Sequence, residues 1–310
     1  MDPLLVILGP TAVGKTKIAI AVAQKLAGEI ISADSMQVYR HLDIGTAKPS
    51  LAERQGVPHH LIDLIEPEEQ FSVVRFQNEV KRLIPAIVSR GHLPMLVGGT
   101  GLYISAVINN YQFAPSKPDP SLRKQLLIQA ANLGPQVLHE KLSRLDAAAA
   151  ERIEPTDVRR IIRALEVAST GDKLSACGQG PLLYRVLQIG LIRERSRLYE
   201  AINQRVETMF EQGLCEEARW LLEKNLSPNS PVCQALGYKE IWPYFHGQAT
   251  LNEVKEKVKR QTRRFAKRQL TWFRRDKRII WLDIDQYTTE EALVTEIVRL
   301  TEGKLLVNHE

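Results

Sequence analysis

The amino-acid sequence predicts an α/β fold in which a parallel sheet flanked by helices is interrupted by a helical insertion. Two observations lead to this prediction. Short apolar runs alternate with helical patterns over residues 1–113, whereas residues 114–184 carry helical patterns alone. Alternating strands and helices are typical of a parallel sheet. A strand-like run at residues 185–192 returns the chain to that sheet, so residues 185–310 complete the same core.

Each predicted element of the core has its own signal. Strands are expected where apolar runs are bounded by turn residues, at 4–8, 29–33, 94–99, 185–192 and 279–284. Helices are expected at 15–27, at 77–90, at the run LYISAVI and near the C-terminus. Pro85 should kink the second of these helices or cost it one hydrogen bond. Thr250 and Glu253 form a T-x-x-E capping box that opens a long helix over 250–275.

The insertion is expected to join the core through a stiff segment. Pro115, Pro118 and Pro120 favour an extended joint. Three helices follow it, at about 121–133, 135–145 and 156–169. The insertion should therefore have its own surface and be able to move as a unit.

The most informative segment is GPTAVGKT, Gly9 to Thr16, which directly follows the first strand and opens the first helix. It fits the pattern G-x-x-x-x-G-K-[ST] in the structural context that this pattern requires. Gly9 and Gly14 allow the backbone N–H groups to approach phosphate oxygens, Lys15 supplies positive charge, and the Thr16 hydroxyl is placed to hold Mg²⁺. The core is therefore predicted to be P-loop NTPase-like and to bind a di- or triphosphate.

Positive charge is concentrated near the C-terminus. The net charge of the 310 residues is +6, and twelve Lys or Arg residues against two acids lie between Lys255 and Arg278. Along the predicted helix these cations form two rows. A solvated helix normally mixes acids into such rows, so the pattern favours contact with a polyanion such as nucleic acid.

Other classes of protein are disfavoured. The sequence lacks an 18-residue apolar run and a signal-peptide pattern, so we expect a cytoplasmic protein that does not enter a membrane. Cys177, Cys215 and Cys233 are odd in number and widely spaced, which is typical of reduced thiols.

Asp34 is the first candidate for catalysis. It follows the second predicted strand, and adjacent parallel strands deliver their C-terminal residues to one crevice, so Asp34 should lie beside the bound phosphates. A carboxylate in that place needs a role as a metal ligand or as a base, because it would otherwise repel the phosphates.

Taken together, the motifs resemble one family. They run in the order GPTAVGKT, SADSMQVYR (32–40), DIGTAKP (43–49), VPHHLID (57–63), VGGTGLY (97–103), QALGYKE (234–240) and RQTRRFAKRQLTWFRRD (260–276). This series, which covers nearly the whole chain, resembles the bacterial tRNA dimethylallyltransferases.

The resemblance implies a reaction. A dimethylallyl group would pass from dimethylallyl diphosphate to the exocyclic amine of the adenosine 3′ of the anticodon, in tRNAs that read codons beginning with U, with release of diphosphate. Catalytic roles are implied for Lys15, Asp34, Thr100 and Arg205, with Asp34 as the base. Mg²⁺, held by Thr16, is the implied cofactor. The diphosphate would lie on Gly9, Pro10, Thr11, Ala12, Val13, Gly14, Lys15 and Thr16.

The resemblance also implies contacts with the anticodon stem-loop of tRNA, by a chain that we expect to be a monomer. Around the target base they are Asp34, Ser35, Met36, Gln37 and Thr100. In the insertion they are Arg123, Arg159, Arg160, Ile161, Ile162 and Arg163. On the basic helix they are Arg263, Arg264, Lys267 and Arg268.

Alternatives stay open at this point. A small-molecule kinase of the same phosphate-loop class would use ATP, with Asp63 or Asp283 as a second magnesium carboxylate. A non-catalytic RNA-binding protein would need the basic helix but not an intact GKT loop. His59 and His60 beside Asp63 suggest a metal site, but two adjacent histidines lack helical ligand spacing, and we expect both to be structural.

Overall fold

The computed structural model describes residues 1–115 and 119–306, so Pro118 of the expected joint lies outside the described residues. The chain divides into two compact units, the first comprising 1–108 and 183–310 and the second 109–182. The second unit begins and ends earlier than the expected bounds of 114 and 184. The reason is local pairing, since Tyr111 forms an antiparallel bridge with Gln179 inside the second unit.

The first unit is built on a six-stranded sheet in which every pair of neighbouring strands is parallel. Its strands are β1 Asp2–Leu8, β2 Gly28–Ala33, β3 His59–His60, β4 Leu93–Gly98, β5 Tyr184–Ile192 and β6 Ile280–Asp283. Their order across the sheet is β3-β2-β4-β1-β5-β6. The predicted parallel sheet flanked by helices is confirmed. Only the two-residue strand β3 was absent from the prediction, because it is too short to show a periodic pattern.

The first unit also contains helices, several of which flank this sheet. They are α1 Lys15–Lys25, α2 Val73–Ser89, α3 Gly101–Ile108, α8 Arg195–Glu211, α9 Leu214–Glu223, α10 Trp242–Phe245, α11 Leu251–Phe273 and α12 Glu290–Thr301; the helices between α3 and α8 belong to the second unit. Pro85 lies inside α2 without ending it. The capping box of Thr250 and Glu253 is present at the start of α11. Within the described part of the chain, none of the helices has the length and apolar character needed to cross a bilayer.

Two apolar layers cover the sheet, one on each face. Leu5 and Ile7 of β1 pack with α1, α8 and α12. Leu4, Val6 and Leu8 point the other way and pack with α2 and α3. Successive side chains of a strand alternate between faces, so the unbroken apolar run from Leu4 to Leu8 is expected of a strand that is buried on both sides. The carboxyl ends of the strands are left for polar side chains.

The second unit is a helical bundle with its own core. Its helices are α4 Pro120–Leu133, α5 Pro135–Leu145, α6 Ala147–Ala150 and α7 Val158–Ala168. Leu126, Leu138 and Leu142 pack against Ile161 and Leu165 of α7. A bundle with a separate apolar core is expected to hold its shape independently of the sheet.

Candidate active site at the carboxyl ends of the strands

The phosphate-binding loop has the backbone geometry that its sequence predicts. It connects β1 to α1, and Gly9, Ala12 and Gly14 all have positive φ, of 153°, 63° and 97°. A Cβ at Gly9 would lie 2.5 Å from the carbonyl oxygen of Leu191, so only glycine fits there. Gly14 is the N-cap of α1 and has no side chain to occupy the first N–H groups of the helix. These groups and the helix dipole therefore favour an anion in the loop.

Lys15 is bent back over this loop. Its Nζ donates to the carbonyl oxygen of Pro10 at 2.7 Å. Burial, with a smaller contribution from the nearby Arg205 guanidinium, lowers the pKa of Lys15 to about 7, against an opposing effect of Asp34. The ammonium thus loses its proton near neutral pH unless an anion stabilises it.

Arg205 lies on α8 and lines the same cavity as Lys15 and Asp34. Burial lowers the pKa of its guanidinium, and the Asp34 carboxylate opposes that shift. Two poorly solvated cations therefore converge on the loop with one carboxylate beside them. A bound diphosphate would relieve the repulsion between Lys15 and Arg205.

Asp34 and Thr100 are brought together by neighbouring strands. Ala33 of β2 is in register with Gly98 of β4; Asp34 follows Ala33 directly, and Thr100 follows Gly98 after one residue. The Thr100 hydroxyl accepts from the Ser35 N–H at 3.2 Å. One carboxylate oxygen of Asp34 accepts from the Met36 N–H at 2.9 Å, which fixes the orientation of the carboxylate.

The cavity over the loop continues into a second pocket. Ser35, Met36 and Thr100 line the second pocket, together with apolar side chains of α8 and of the QALGYKE segment. Both cavities share Thr11, Asp34, Thr46, Arg205 and Phe265. Asp34 therefore lies at the junction of the two cavities, beside the phosphate loop.

Gln37, which lines the first cavity, is hydrogen-bonded within the protein. Its amide oxygen accepts from the Ser32 hydroxyl at 2.9 Å, and its amide nitrogen donates to the carbonyl oxygens of Thr46 and Ala47 at 3.3 Å. In this structure Gln37 therefore orders the loop at 43–49 instead of presenting a free amide to a base.

The same loop is held by Glu217, which the sequence analysis missed. Glu217 lies on α9, and its carboxylate accepts from the N–H groups of Asp43, Ile44 and Gly45 at 2.7 to 2.8 Å. It also accepts from the Tyr238 hydroxyl at 2.7 Å. The DIGTAKP and QALGYKE motifs thus meet at one carboxylate.

Replacing Glu217 with Gln should disorder the loop at 43–49, because one carboxylate serves three N–H groups and a hydroxyl. Hydrogen bonds to a charged group contribute about 1.5–3 kcal/mol each, so kcat/KM for transfer should fall by about tenfold or more. Steady-state kinetics test this, with Glu216→Gln as the control, since Glu216 is the exposed neighbour. Equal kinetics for the two variants would contradict a role for Glu217.

Some of the cations on the basic helix α11 are paired with side chains of α8, which its own sequence did not indicate. Lys255 and Lys259 form ion pairs with Glu207 of α8 at 2.8 and 2.6 Å. Arg263 donates to the Asn203 side chain at 2.5 Å. The exposed cations in the expected RNA-facing set are Arg264, Lys267 and Arg268.

In the insertion too, only some of the residues expected to contact RNA are exposed. Arg159 and Arg160 are exposed on α7, as an RNA contact requires. Ile161 and Ile162 are buried at 0% and 2% exposure, so their side chains pack in the core of the bundle, and their expected contact with RNA stays a prediction.

Arg123 and Arg163 both contact a buried carboxylate. Arg123 binds Glu166 through two nitrogens at 2.9 and 2.8 Å, and Arg163 binds it at 3.4 Å. Glu166 is 1% exposed, and a buried carboxylate without a cation is strongly unfavourable. Both arginines therefore stabilise the bundle in this structure, whatever else they contact.

The alternative metal ligands are otherwise engaged. His60 contacts the buried Glu29 at 2.6 Å, and His59 Nδ1 contacts the Val57 carbonyl oxygen at 2.8 Å. Asp63 pairs with Lys48 at 2.6 Å, and Asp283 accepts from the Asp285 N–H. The described residues contain no cluster of three or more His, Cys, Asp or Glu side chains that could hold a metal.

Comparison with known proteins independently supports the resemblance to the tRNA dimethylallyltransferases. Residues 37–276 match the family model described as IPP transferase. The chain is 47% identical to the tRNA dimethylallyltransferase of Pelotomaculum thermopropionicum and 49% identical to that of Geobacillus thermodenitrificans, in both cases over 98% of each chain.

Similar solved structures support the same family. The full-length tRNA isopentenylpyrophosphate transferase of Bacillus halodurans is similar with a TM-score of 0.75 and 45% identity, over 99% of this chain and 97% of that one. A eukaryotic dimethylallyltransferase acting on tRNA is similar with a TM-score of 0.78 and 28% identity, over 95% of this chain and 78% of that one. With its phosphate loop, its paired strand ends and these matches, the chain belongs to the IPP transferase family, together with the bacterial tRNA dimethylallyltransferases.

Proposed function

We propose that this chain transfers the dimethylallyl group of dimethylallyl diphosphate to the exocyclic amine of the adenosine 3′ of the anticodon, in tRNAs that read codons beginning with U. Dimethylallyl transfer to tRNA is the activity for which its close relatives are named. The choice of base and of tRNAs is our extension of it. The observation that carries the proposal is Asp34 at the junction of the two cavities.

The residues suit the chemistry of the donor. The leaving group is a diphosphate, which gains negative charge as the bond from its oxygen to the allyl carbon breaks. Lys15, Arg205 and the N–H groups of the loop would bind that charge more strongly as it grows, which lowers the barrier. The allyl carbon would face the junction with the second pocket.

The acceptor step needs a base. As the amine nitrogen of the adenine bonds to the allyl carbon it becomes acidic, and Asp34 would take the released proton. Thr100 lines the second pocket together with Asp34, and its hydroxyl accepts from the Ser35 N–H. A general base of this kind contributes about 10² to 10⁴ in rate. The products are N-substituted adenosine and free diphosphate.

A divalent metal would assist, and we propose Mg²⁺. The side chain of Thr16 is exposed at the N-terminus of α1, beside the loop, as a hydroxyl ligand for such an ion requires. Mg²⁺ prefers few protein ligands together with phosphate oxygens and water, which fits a site with a single hydroxyl ligand. When bound, the ion would neutralise part of the charge of the diphosphate.

The tRNA partner is proposed from exposed cations. Arg159 and Arg160 of the insertion and Arg264, Lys267 and Arg268 of α11 present positive charge to solvent. The target base must leave its stack to reach Asp34, at a cost of a few kcal/mol. Contacts to the RNA backbone would offset that cost. We propose that the protein acts in the cytoplasm, where these tRNAs are found.

Replacing Arg159 and Arg160 together with Ala should weaken tRNA binding and flatten its dependence on salt, because fewer counterions are released per complex. Measurement of tRNA binding at about 50 to 200 mM salt tests this, because such effects appear over that range. Donor affinity should not change. Lys141→Ala, also in the insertion, is the control. Loss of donor affinity with intact tRNA affinity would contradict the assignment.

The ATP-dependent kinase alternative is not favoured by the relatives. The decisive experiment is transfer of labelled allyl groups to unmodified tRNA in ATP-free buffer with Mg²⁺. We expect full activity there, and we expect pyrophosphate to inhibit in competition with the donor. Chelation of the metal should abolish the activity. Strict dependence on added ATP would overturn the proposed function.

A further inference from the structure

Gln269 is a buried polar side chain to which the reaction just described assigns no role. It lies on α11 and is 8% exposed. Its amide oxygen accepts from the Thr11 N–H at 2.9 Å, and its amide nitrogen donates to the Gly99 carbonyl oxygen at 3.0 Å. One amide therefore joins the phosphate loop to the turn that carries Thr100.

We propose that Gln269 is a positioning residue that sets the spacing between the diphosphate loop and the turn at Gly99 and Thr100, and so aligns donor and acceptor. The proposal rests on the proposed function. Both of its partners are main-chain groups, so Gln269 acts on the backbone of each segment. Its side chain also lines the cavity over the loop.

The close approach of the two segments is built around this amide. A Cβ at Gly99 would overlap the amide nitrogen of Gln269, and the other nearest atoms lie at 3.4 Å or more. Gly99 has no positive φ that would itself require glycine. The absence of a side chain at Gly99 is thus explained by the room that the Gln269 amide needs.

An amide suits this position because the two partners differ. Thr11 offers a donor and Gly99 offers an acceptor, so the bridging group must carry one of each. A methyl-terminated side chain supplies neither. A carboxylate would accept from Thr11 but face the carbonyl oxygen of Gly99 with a second acceptor, whereas a protonated carboxyl again carries a donor and an acceptor.

The test compares Gln269→Leu, Gln269→Glu and Gly99→Ala, with Gln261→Leu on the same helix as the control. We expect kcat to fall by about 10²-fold in Gln269→Leu, since misplacement by about 1 Å has that effect. Dissociation constants for the donor and for tRNA should change by less than about threefold. Gly99→Ala should reproduce the defect, and combining it with Gln269→Leu should add little, because both break the same bridge.

The pH profile separates positioning from loss of stability. The ratio of Gln269→Glu activity to wild-type activity should rise as the pH falls, because protonation of the carboxyl restores the donor toward Gly99. A kcat of Gln269→Leu within about threefold of wild type would overturn the proposal. So would a pH-independent ratio for Gln269→Glu, or a defect confined to donor or tRNA affinity. If wild type shows no transfer at all, the proposed function itself fails.

Discussion

Replacing Asp34 with Asn should lower the rate of transfer by at least about a hundredfold, the lower end of the range for a general base. The amide oxygen of Asn still accepts from the Met36 N–H, as Asp34 does at 2.9 Å, so the segment keeps its shape. In the proposed reaction, what is lost is the ability to take the proton of the adenine amine. Single-turnover assays with saturating donor measure this step directly.

The control for Asp34→Asn is binding. Affinity for tRNA should be retained, because the proposed RNA backbone contacts lie on the insertion and on α11. Affinity for the donor should be unchanged or higher, since a carboxylate near the diphosphate is removed. Turnover near that of wild type would exclude Asp34 as the base and direct attention to Thr100.

Replacing Lys15 with Met should abolish measurable transfer. The side chain keeps much of its length and loses the charge that we propose binds the leaving diphosphate. Electrostatic groups of this kind contribute about 10² to 10³ each in rate, and the loss of donor affinity adds to that effect. Transfer at saturating donor gives the effect on catalysis, and the shift of melting temperature with donor gives the effect on binding. Near wild-type transfer by the variant would remove Lys15 from the site.

Lys15 also predicts a dependence on pH. In the free protein its pKa is lowered to about 7, chiefly by burial, so above that pH the amine is largely neutral. A bound diphosphate favours the charged form and raises the pKa, so binding above pH 7 must take up a proton. Donor affinity should therefore weaken as the pH rises above 7. Calorimetry in buffers of different ionisation enthalpy should show uptake of up to one proton, which Lys15→Met should lack.

The sequence was sufficient for the parts of the site that carry local signals. The phosphate loop is a contiguous pattern next to an apolar strand, and the positions of Asp34 and Thr100 follow from the ends of two parallel strands. The capping box of α11 is equally local. Ile161 and Ile162 also had a local signal, because with Val158 and Leu165 they form the apolar stripe of α7, which predicts burial.

Other parts had no local signal. Gln269 and Glu217 act through main-chain groups that are distant in the sequence, and nothing in the neighbouring residues marks either side chain. Arg123 and Glu166 are separated by 43 residues and meet only after the bundle folds. Lys255 likewise meets Glu207 from another helix. A basic row read from the sequence of one helix therefore overstates the charge available to RNA, because that sequence does not show which cations pair with acids of a neighbouring helix.

The bridge between Thr11 and Gln269 spans 258 residues of sequence. During synthesis at about 5 to 20 residues per second, the helix that carries Gln269 follows the phosphate loop by about 13 to 50 seconds. Over that interval the loop exists without its partner. The nascent chain can thus form most of its sheet before it can react, and an allyl donor bound early would meet an incomplete site. Activity should appear only once α11 has been made and has docked, which makes the onset of catalysis depend on a segment synthesised long after the phosphate loop.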